Sequence, residues 1–296
     1  MTVISIQSQV VHGHVGNSAA VFPLQARGIE VAAVPTALLS NHPRYPTMRG
    51  GVLDAEFVRD LLIGVEERGL VGSCKVLITG YLGSPEIAAV VIDFVRRAKA
   101  RNPKLLYLCD PVMGDADVGF YINEDLPALF CEGLVPLADV ITPNQFELEH
   151  LVGRVPATVE EMLAAARGLS LSTVVVTGTR LQGSPADFIQ TLAIEPRAAW
   201  MVSTPRLSCH PSGTGDLFTA LFAAALVDGL ATVDALERAV AGVHGVLEET
   251  GRRGSYEMAL IASAEHMVRP GRLFPASALP PGAGLAQTPA ANTATG

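Results

Sequence analysis

Apolar and polar positions follow two rhythms along the chain. Short unbroken apolar runs, bounded by glycine, proline or acids, predict buried strands. They are VISIQS (3–8), IEVAAVPT (29–36), KVLITGYLG (75–83, running into a glycine turn), KLLYLC before Asp110-Pro111, and TVVVTGT (173–179). Between them lie stretches with helical spacing. GNSAAVFPLQARG (16–28) starts near Asn17 or Ser18 and has Gly28 past its end. LDAEFVRDLLIGVEERG (53–69) puts Phe57, Leu61, Leu62 and Val65 on one face. SPEIAAVVIDFVRRAKA (84–100) has Ser84 as N-cap, Pro85 at the first helical position and basic residues at its end. ADVITPNQFELEHLVG (138–153) is a strand stopped by Pro143, then an acid-bearing helix. FIQTLAIE and AWMVSTP predict a hairpin over about 188–205, and further helices are expected at about 216–228, 232–249 and 256–267. From Pro270 the chain is rich in Pro, Ala, Gly and Thr without periodicity, which predicts disorder beyond about residue 276.

Strands separated by helices imply right-handed crossovers, hence an α/β fold with a mainly parallel sheet covered on both faces. Ligands in such folds bind beyond the carboxyl ends of the strands. The length of 296 residues permits one or two domains.

Composition narrows the function classes. The net charge is −8 and no Lys/Arg block occurs, which argues against nucleic acid or an anionic membrane as partner. A phosphate-bearing ligand stays open, because backbone amides and a metal ion bind phosphate without a basic surface. The four cysteines form no CxxC pair and read as reduced thiols of a cytoplasmic protein. The first residues lack a basic segment followed by a long apolar one, so no signal peptide is expected. No apolar run approaches the length that crosses a bilayer.

Three constellations carry candidate chemistry. Gly213-Thr214-Gly215-Asp216 opens an apolar helix, LFTALFAAALV. Unpaired amides at a helix start, with glycines that allow close approach, make a nest for a phosphate or a developing oxyanion. Asp216 at that place can act as general base toward a hydroxyl, its pKa held near the ordinary value by the helix dipole. The competing reading is a capped helix whose first-turn acid complements the dipole. CDPVMGD and TPNQFELE bring Asp110, Asp115, Thr142 and Glu147 to strand ends, hard oxygen ligands suited to Mg²⁺ with substrate phosphates. Asp-Pro turns and a helix-capping Glu would give the same letters. IQSQVVHGHVGN has neither the GxGxxG spacing nor an acid after the second strand, so NAD binding is set aside, and no GxxxxGK[ST] occurs.

Taken in order, SIQSQVVHGHVGNSAAVFPLQ, SNHPRYP, TGYLG, CDPVMGD, PLADVITPNQFELE, VVVTG and GTGDLF resemble the pyridoxal kinases of the ribokinase-like superfamily. The resemblance runs from Val3 to about Ala264. It implies a single-domain ribokinase-like fold over 1–269, usually a homodimer, with 270–296 left as a tail. It implies transfer of the ATP γ-phosphoryl group to the 5′-hydroxyl of pyridoxal, pyridoxine or pyridoxamine, in vitamin B6 salvage. Asp216 then matches the general base, and Gly213, Thr214 and Gly215 the anion hole. Ser8 and Tyr81 match substrate contacts. Asp110, Thr142, Glu147, Thr177 and Gly178 match the ATP phosphate region, and Asp110, Asp115, Thr142, Glu147 and Thr177 the surroundings of Mg²⁺. A monovalent cation such as K⁺ is implied at Asp110, Thr142 and Thr177.

The chain departs from the family at a few places. Pro43 replaces the threonine that commonly contacts substrate in SNHT and lacks both hydroxyl and N–H. Gln9 stands where a histidine is usual, and Phe120 where some bacterial members have a cysteine. Gly114 and Gly119 suit a mobile flap that excludes water. The rival expectations are a hydroxymethylpyrimidine or other ribokinase-like kinase, and a non-catalytic vitamin- or nucleotide-binding homologue.

Overall fold

The computed structural model describes residues 2–280. The chain begins with strand β1 (Thr2–Val10), helix α1 (Asn17–Ala26), β2 (Glu30–Leu39) and the short β3 (Gly50–Val52). Helices α2 (Ala55–Glu67) and α3 (Leu70–Ser73) lead to β4 (Cys74–Thr79), α4 (Pro85–Arg101) and β5 (Leu106–Cys109). A small hairpin follows, β6 (Gly114–Asp115) and β7 (Gly119–Phe120), then α5 (Leu126–Leu129) and β8 (Val140–Ile141). Helices α6 (Gln145–Val152) and α7 (Val159–Gly168) precede β9 (Thr173–Thr179), β10 (Phe188–Ile194) and β11 (Ala199–Pro205). The chain closes with α8 (Thr214–Val227), α9 (Thr232–Arg253), α10 (Ala264–Val268) and β12 (Ser277–Ala278).

The main sheet has ten strands in the order β12-β11-β10-β9-β8-β5-β4-β1-β2-β3. The six strands from β9 to β2 run parallel, and β3, β10, β11 and β12 are added antiparallel at the two sides. The chain leaves β1 first toward β2 and then toward β4 on its other side. A crevice therefore opens past the carboxyl ends of these strands. Two apolar layers cover the sheet: α2, α4, α6 and α7 pack on one face, α1, α8, α9 and α10 on the other. This is the expected α/β architecture. The hairpin expected at 188–205 is β10–β11.

Local signals worked where a single residue does a definite job. Ser84 accepts from the Ile87 amide and Pro85 occupies the first turn of α4. Gly28 takes a φ of 75° after α1. Three expectations need correction. Phe57 is 52% exposed, and the buried face of α2 is Val58, Leu62 and Val65, about one residue round from the stripe expected. The helix expected over 256–267 is only a 3₁₀ turn (Ile261–Ser263) followed by α10, because the segment before it loops back toward the carboxyl end of the sheet. The chain is also ordered past residue 276: Phe274 is buried, and Ser277 and Ala278 pair with Met201 and Trp200. The rest of the tail, 281–296, lies outside the described residues. Among the described residues no helix is long and apolar enough to cross a membrane, and all four cysteines are free thiols.

Candidate active site

Helix α8 is buried along ten of its 14 residues, so its N-terminus is fixed against the sheet. Gly213 caps it with φ 86° and ψ 8°. A Cβ there would lie 1.8 Å from the His14 carbonyl oxygen, so backbone meets backbone at a point only glycine permits. Thr214 and Gly215 form the first turn, and Gly215 is exposed toward the crevice. Asp216 follows one residue on, near enough to the Gly16 amide for that amide to lower its pKa. Gly16 is pressed against Ser8 as well: a Cβ on it would lie 2.5 Å from the Ser8 hydroxyl. Ser8, at the carboxyl end of β1, and Asp216 thus flank the same glycine.

Loss of solvent pushes the Asp216 carboxyl up to about 6, against the lowering effect of the Gly16 amide. The expectation that the helix dipole would keep it near its ordinary value is therefore wrong; desolvation outweighs the dipole here. A carboxylate tuned closer to neutrality is a better proton acceptor at physiological pH.

Beside this helix start lie the other strand ends. A Cβ on Gly215 would sit 4.0 Å from Asp110 Oδ2. Asp110 is buried just past β5 and accepts from Thr219 Oγ1 at 3.1 Å. Thr219 lies one turn beyond Asp216 on α8, and its hydroxyl is 2.8 Å from that of Thr142, past β8. Thr219 therefore links the helix of Asp216 to two strand ends. Sequence reading missed it, because a threonine inside an apolar helix carries no pattern of its own. Burial first, then the charges of Glu147 and Asp216, raises the Asp110 carboxyl well above the ordinary range.

Glu147 serves two purposes. It is the third residue of α6 in a capping box, with Asn144 accepting from its amide and its Oε2 accepting from the Asn144 amide at 2.9 Å. Its Oε1 accepts from the Met113 amide at 3.0 Å, which ties the segment after Asp110 to α6. Burial pushes its carboxyl up to about 7 despite these amide donors, with Asp216 adding to the rise. The capping geometry of Glu147 is thus present, and its charge also acts on Asp110. Thr177 and Gly178 lie at the end of β9, where the Thr177 amide donates to the Pro143 carbonyl oxygen and Gly178 is exposed with φ 66°.

Asp115 keeps other company. Its Oδ1 accepts from the amides of Asp117 and Val118, and its Oδ2 is 3.8 Å from Arg44. It belongs to the β6–β7 hairpin, which rests on α6 through Phe120 against Phe146 and His150. Just past the hairpin is Tyr121, unforeseen from sequence. Its phenol is pushed up by its surroundings and by Glu147, Asp216, Asp110 and Asp115. Tyr81 is half-buried after β4, and its carbonyl oxygen accepts from Thr36. Pro43 is exposed in the segment joining β2 to β3.

Among the described residues no three His, Cys, Asp or Glu side chains converge as a metal cage by themselves. Asp110 and Glu147 supply carboxylate oxygens raised chiefly by burial, with the charges of neighbouring acids adding to the rise, and Thr142 is joined to Asp110 through Thr219. That donor set fits a hard cation whose remaining ligands come from phosphate.

The sequence pattern of the family described as phosphomethylpyrimidine kinase matches residues 16–260. The chain is 45% identical over 279 residues to "Pyridoxal kinase PdxY" of Rubrobacter xylanophilus, covering 93% of this chain and 96% of that protein. It is 43% identical over 280 residues to the protein of the same name from Leifsonia xyli, covering 94% and 99%. Among solved structures it superposes on pyridoxal kinase from Leishmania donovani in complex with ADP and pyridoxamine, with a TM-score of 0.87, 28% identity and coverage of 94% and 99%.

Proposed function

The chain belongs to the phosphomethylpyrimidine kinase family, and on that premise we propose that it is a pyridoxal kinase, transferring the ATP γ-phosphoryl group to the 5′-hydroxyl of pyridoxal. The observation that carries this reading is the setting of Asp216. A desolvated carboxylate and a glycine-lined helix start face the same crevice, with Ser8 on one side and Asp110 on the other.

In the proposed reaction Asp216 accepts the proton of the substrate hydroxyl as its oxygen attacks the γ-phosphorus. The bond from the γ-phosphorus to the bridging oxygen breaks, and ADP leaves with that oxygen. The amides of Gly213, Thr214 and Gly215 take the equatorial oxygens as charge spreads over them. Ser8 contacts the pyridine substrate, and Tyr81 lies near its ring. Asp110, Thr142, Glu147, Thr177 and Gly178 serve the nucleotide phosphates. Mg²⁺ would be held at the phosphates by Asp110 and Glu147, with Thr142 and Thr177 near it, and would neutralise charge on ATP. Asp115 would join them when the hairpin closes. K⁺ is the monovalent ion proposed at Asp110, Thr142 and Thr177. The protein is proposed to act in the cytoplasm as a homodimer. A second copy would cover the apolar side chains Leu38, Met48 and Val52 exposed along the β2–β3 edge.

The family description favours one second reading, phosphorylation of a hydroxymethylpyrimidine. Both are tested together by incubating the protein with MgATP and K⁺ and offering pyridoxal, pyridoxine, pyridoxamine, hydroxymethylpyrimidine or ribose. Formation of the 5′-phosphate from pyridoxal is expected. Turnover of the pyrimidine alone selects the second reading, and turnover of none rejects both.

A further inference from the structure

Outside the reacting groups, one carboxylate joins three separate segments at the rim of the crevice. Glu257 lies in the loop after α9, far in sequence from any motif. Its Oε1 accepts from His42 Nε2 at 2.9 Å and from the Tyr45 hydroxyl at 2.8 Å. Its Oε2 lies 3.2 Å from the His14 amide, which donates to it. Gly13 makes room for this carboxylate: with φ 95°, a Cβ there would lie 2.7 Å from Glu257 Oε2. The side chain is 14% exposed and that of His42 only 2%. These are shielded hydrogen bonds, which are costly to leave unmade.

The segments so joined border Asp216. The His14 carbonyl oxygen is what meets Gly213. The 40–47 segment leaves β2 beside the end of β1, with the amides of Val11 and His12 donating to the carbonyls of Leu39 and Ser40. It reaches the catalytic loop through Arg44, whose Nη1 donates to the His210 carbonyl oxygen at 2.8 Å, and through His42, whose Nδ1 is 3.4 Å from the Ser212 hydroxyl. The Arg44 amide donates to His42 Nδ1 at 3.3 Å. That leaves the imidazole proton on Nε2, pointing at Glu257. Packing does not fix this rim unaided. A cavity of about 230 Å³, lined among others by His42, Arg44, His210, Ser212 and Tyr256, separates it from the segment before Gly213. Tyr256 holds the rim at Arg44, where its hydroxyl donates to the carbonyl oxygen at 3.0 Å, and Glu257 holds it at His42 and Tyr45.

We propose that Glu257 is a positioning residue for the acceptor substrate: through His42, Tyr45 and the His14 amide it holds the 40–47 rim closed beside Ser8 and Asp216. It touches no reacting atom. The nucleotide side, around Asp110, Thr142 and Thr177, is reached by none of its hydrogen bonds. It meets the phosphate side only indirectly, through His14 against Gly213, so losing it weighs more on the hydroxyl substrate than on ATP. The inference rests on the pyridoxal kinase reading.

The test uses the full-length protein with Glu257→Ala and Glu257→Gln, varying pyridoxal at saturating MgATP and then MgATP at saturating pyridoxal. Unmaking buried hydrogen bonds predicts that Glu257→Ala raises the pyridoxal KM about tenfold or more, with a clearly smaller rise or none in the ATP KM. Gln keeps an oxygen for His42 and Tyr45 but turns an N–H toward the His14 amide, so it recovers part of the loss. If the Ala variant does not fold, the Gln variant decides: a pyridoxal KM a few-fold higher, with a clearly smaller rise or none in the ATP KM, supports the proposal. A pyridoxal KM unchanged in every folded variant overturns it, as does an equal rise for both substrates. A wild-type protein inactive on pyridoxal refutes the kinase reading instead, so the two failures are told apart.

Discussion

Replacing Asp216, the proposed general base, should stabilise the protein. The Asp216 carboxyl is raised from 3.8 to about 6 in the fold, chiefly by loss of solvent. The native state thus binds this proton more tightly than the unfolded chain does. Stability tied to the group is fully present below the unfolded pKa, declines as pH rises, and is lost once pH passes the folded pKa. That rise corresponds to at most about 3 kcal/mol, of which roughly half is lost between pH 5 and 8. Asp216→Asn removes the ionisation and keeps the size and shape of the side chain. In a chelator, without K⁺, the variant should melt above wild type at pH 8 by about 5–10 °C, given about 2–4 °C per kcal/mol for a chain of this size. The gap should narrow at pH 5. Thermal unfolding followed by circular dichroism at both pH values measures it. Equal midpoints at pH 8, or a gap that widens toward pH 5, would refute the claim that desolvation governs this carboxylate.

Other outcomes follow from the same geometry. The raised carboxyls of Asp110 and Glu147 imply that cations favour their ionised forms. Mg²⁺ with ADP should therefore raise the melting point more at pH 8 than at pH 5.5, measured by scanning calorimetry. Gly213→Ala should cost on the order of 10²-fold or more in kcat, because a Cβ 1.8 Å from the His14 carbonyl oxygen must displace the proposed anion nest. Steady-state kinetics beside a melting curve separates that from unfolding. Pro43→Thr restores a hydroxyl worth about 0.5–1.5 kcal/mol, so the pyridoxal KM should fall about two- to tenfold. An unchanged or higher KM removes Pro43 from the substrate contacts.

What the sequence made legible was local. Ser84 and Pro85 announce the start of α4, and Asn144 with Glu147 announces α6, because capping satisfies neighbouring amides with neighbouring side chains. The strand ends bearing Asp110 and Thr142 were visible as apolar runs that stop at a polar residue. What escaped was set by distant packing. The helix rotation that exposes Phe57 depends on which residues the sheet and α4 present to α2. The desolvation that lifts Asp216 comes from groups brought together across the fold. Thr219 and Glu257 act through partners 77 or more residues away, and spacing along the chain gives no hint of such pairs. The order of β12 depends on an open edge of β11, which a Pro- and Ala-rich composition does not disclose.

The central claim is that Asp216 takes the proton of a vitamin B6 hydroxyl during phosphoryl transfer. Its most direct test is the steady-state rate of pyridoxal 5′-phosphate formation by wild type and Asp216→Asn, at saturating MgATP and K⁺. Loss of a general base predicts a kcat lower by on the order of 10²–10⁴-fold in a folded variant. Turnover by Asp216→Asn close to wild type would contradict it.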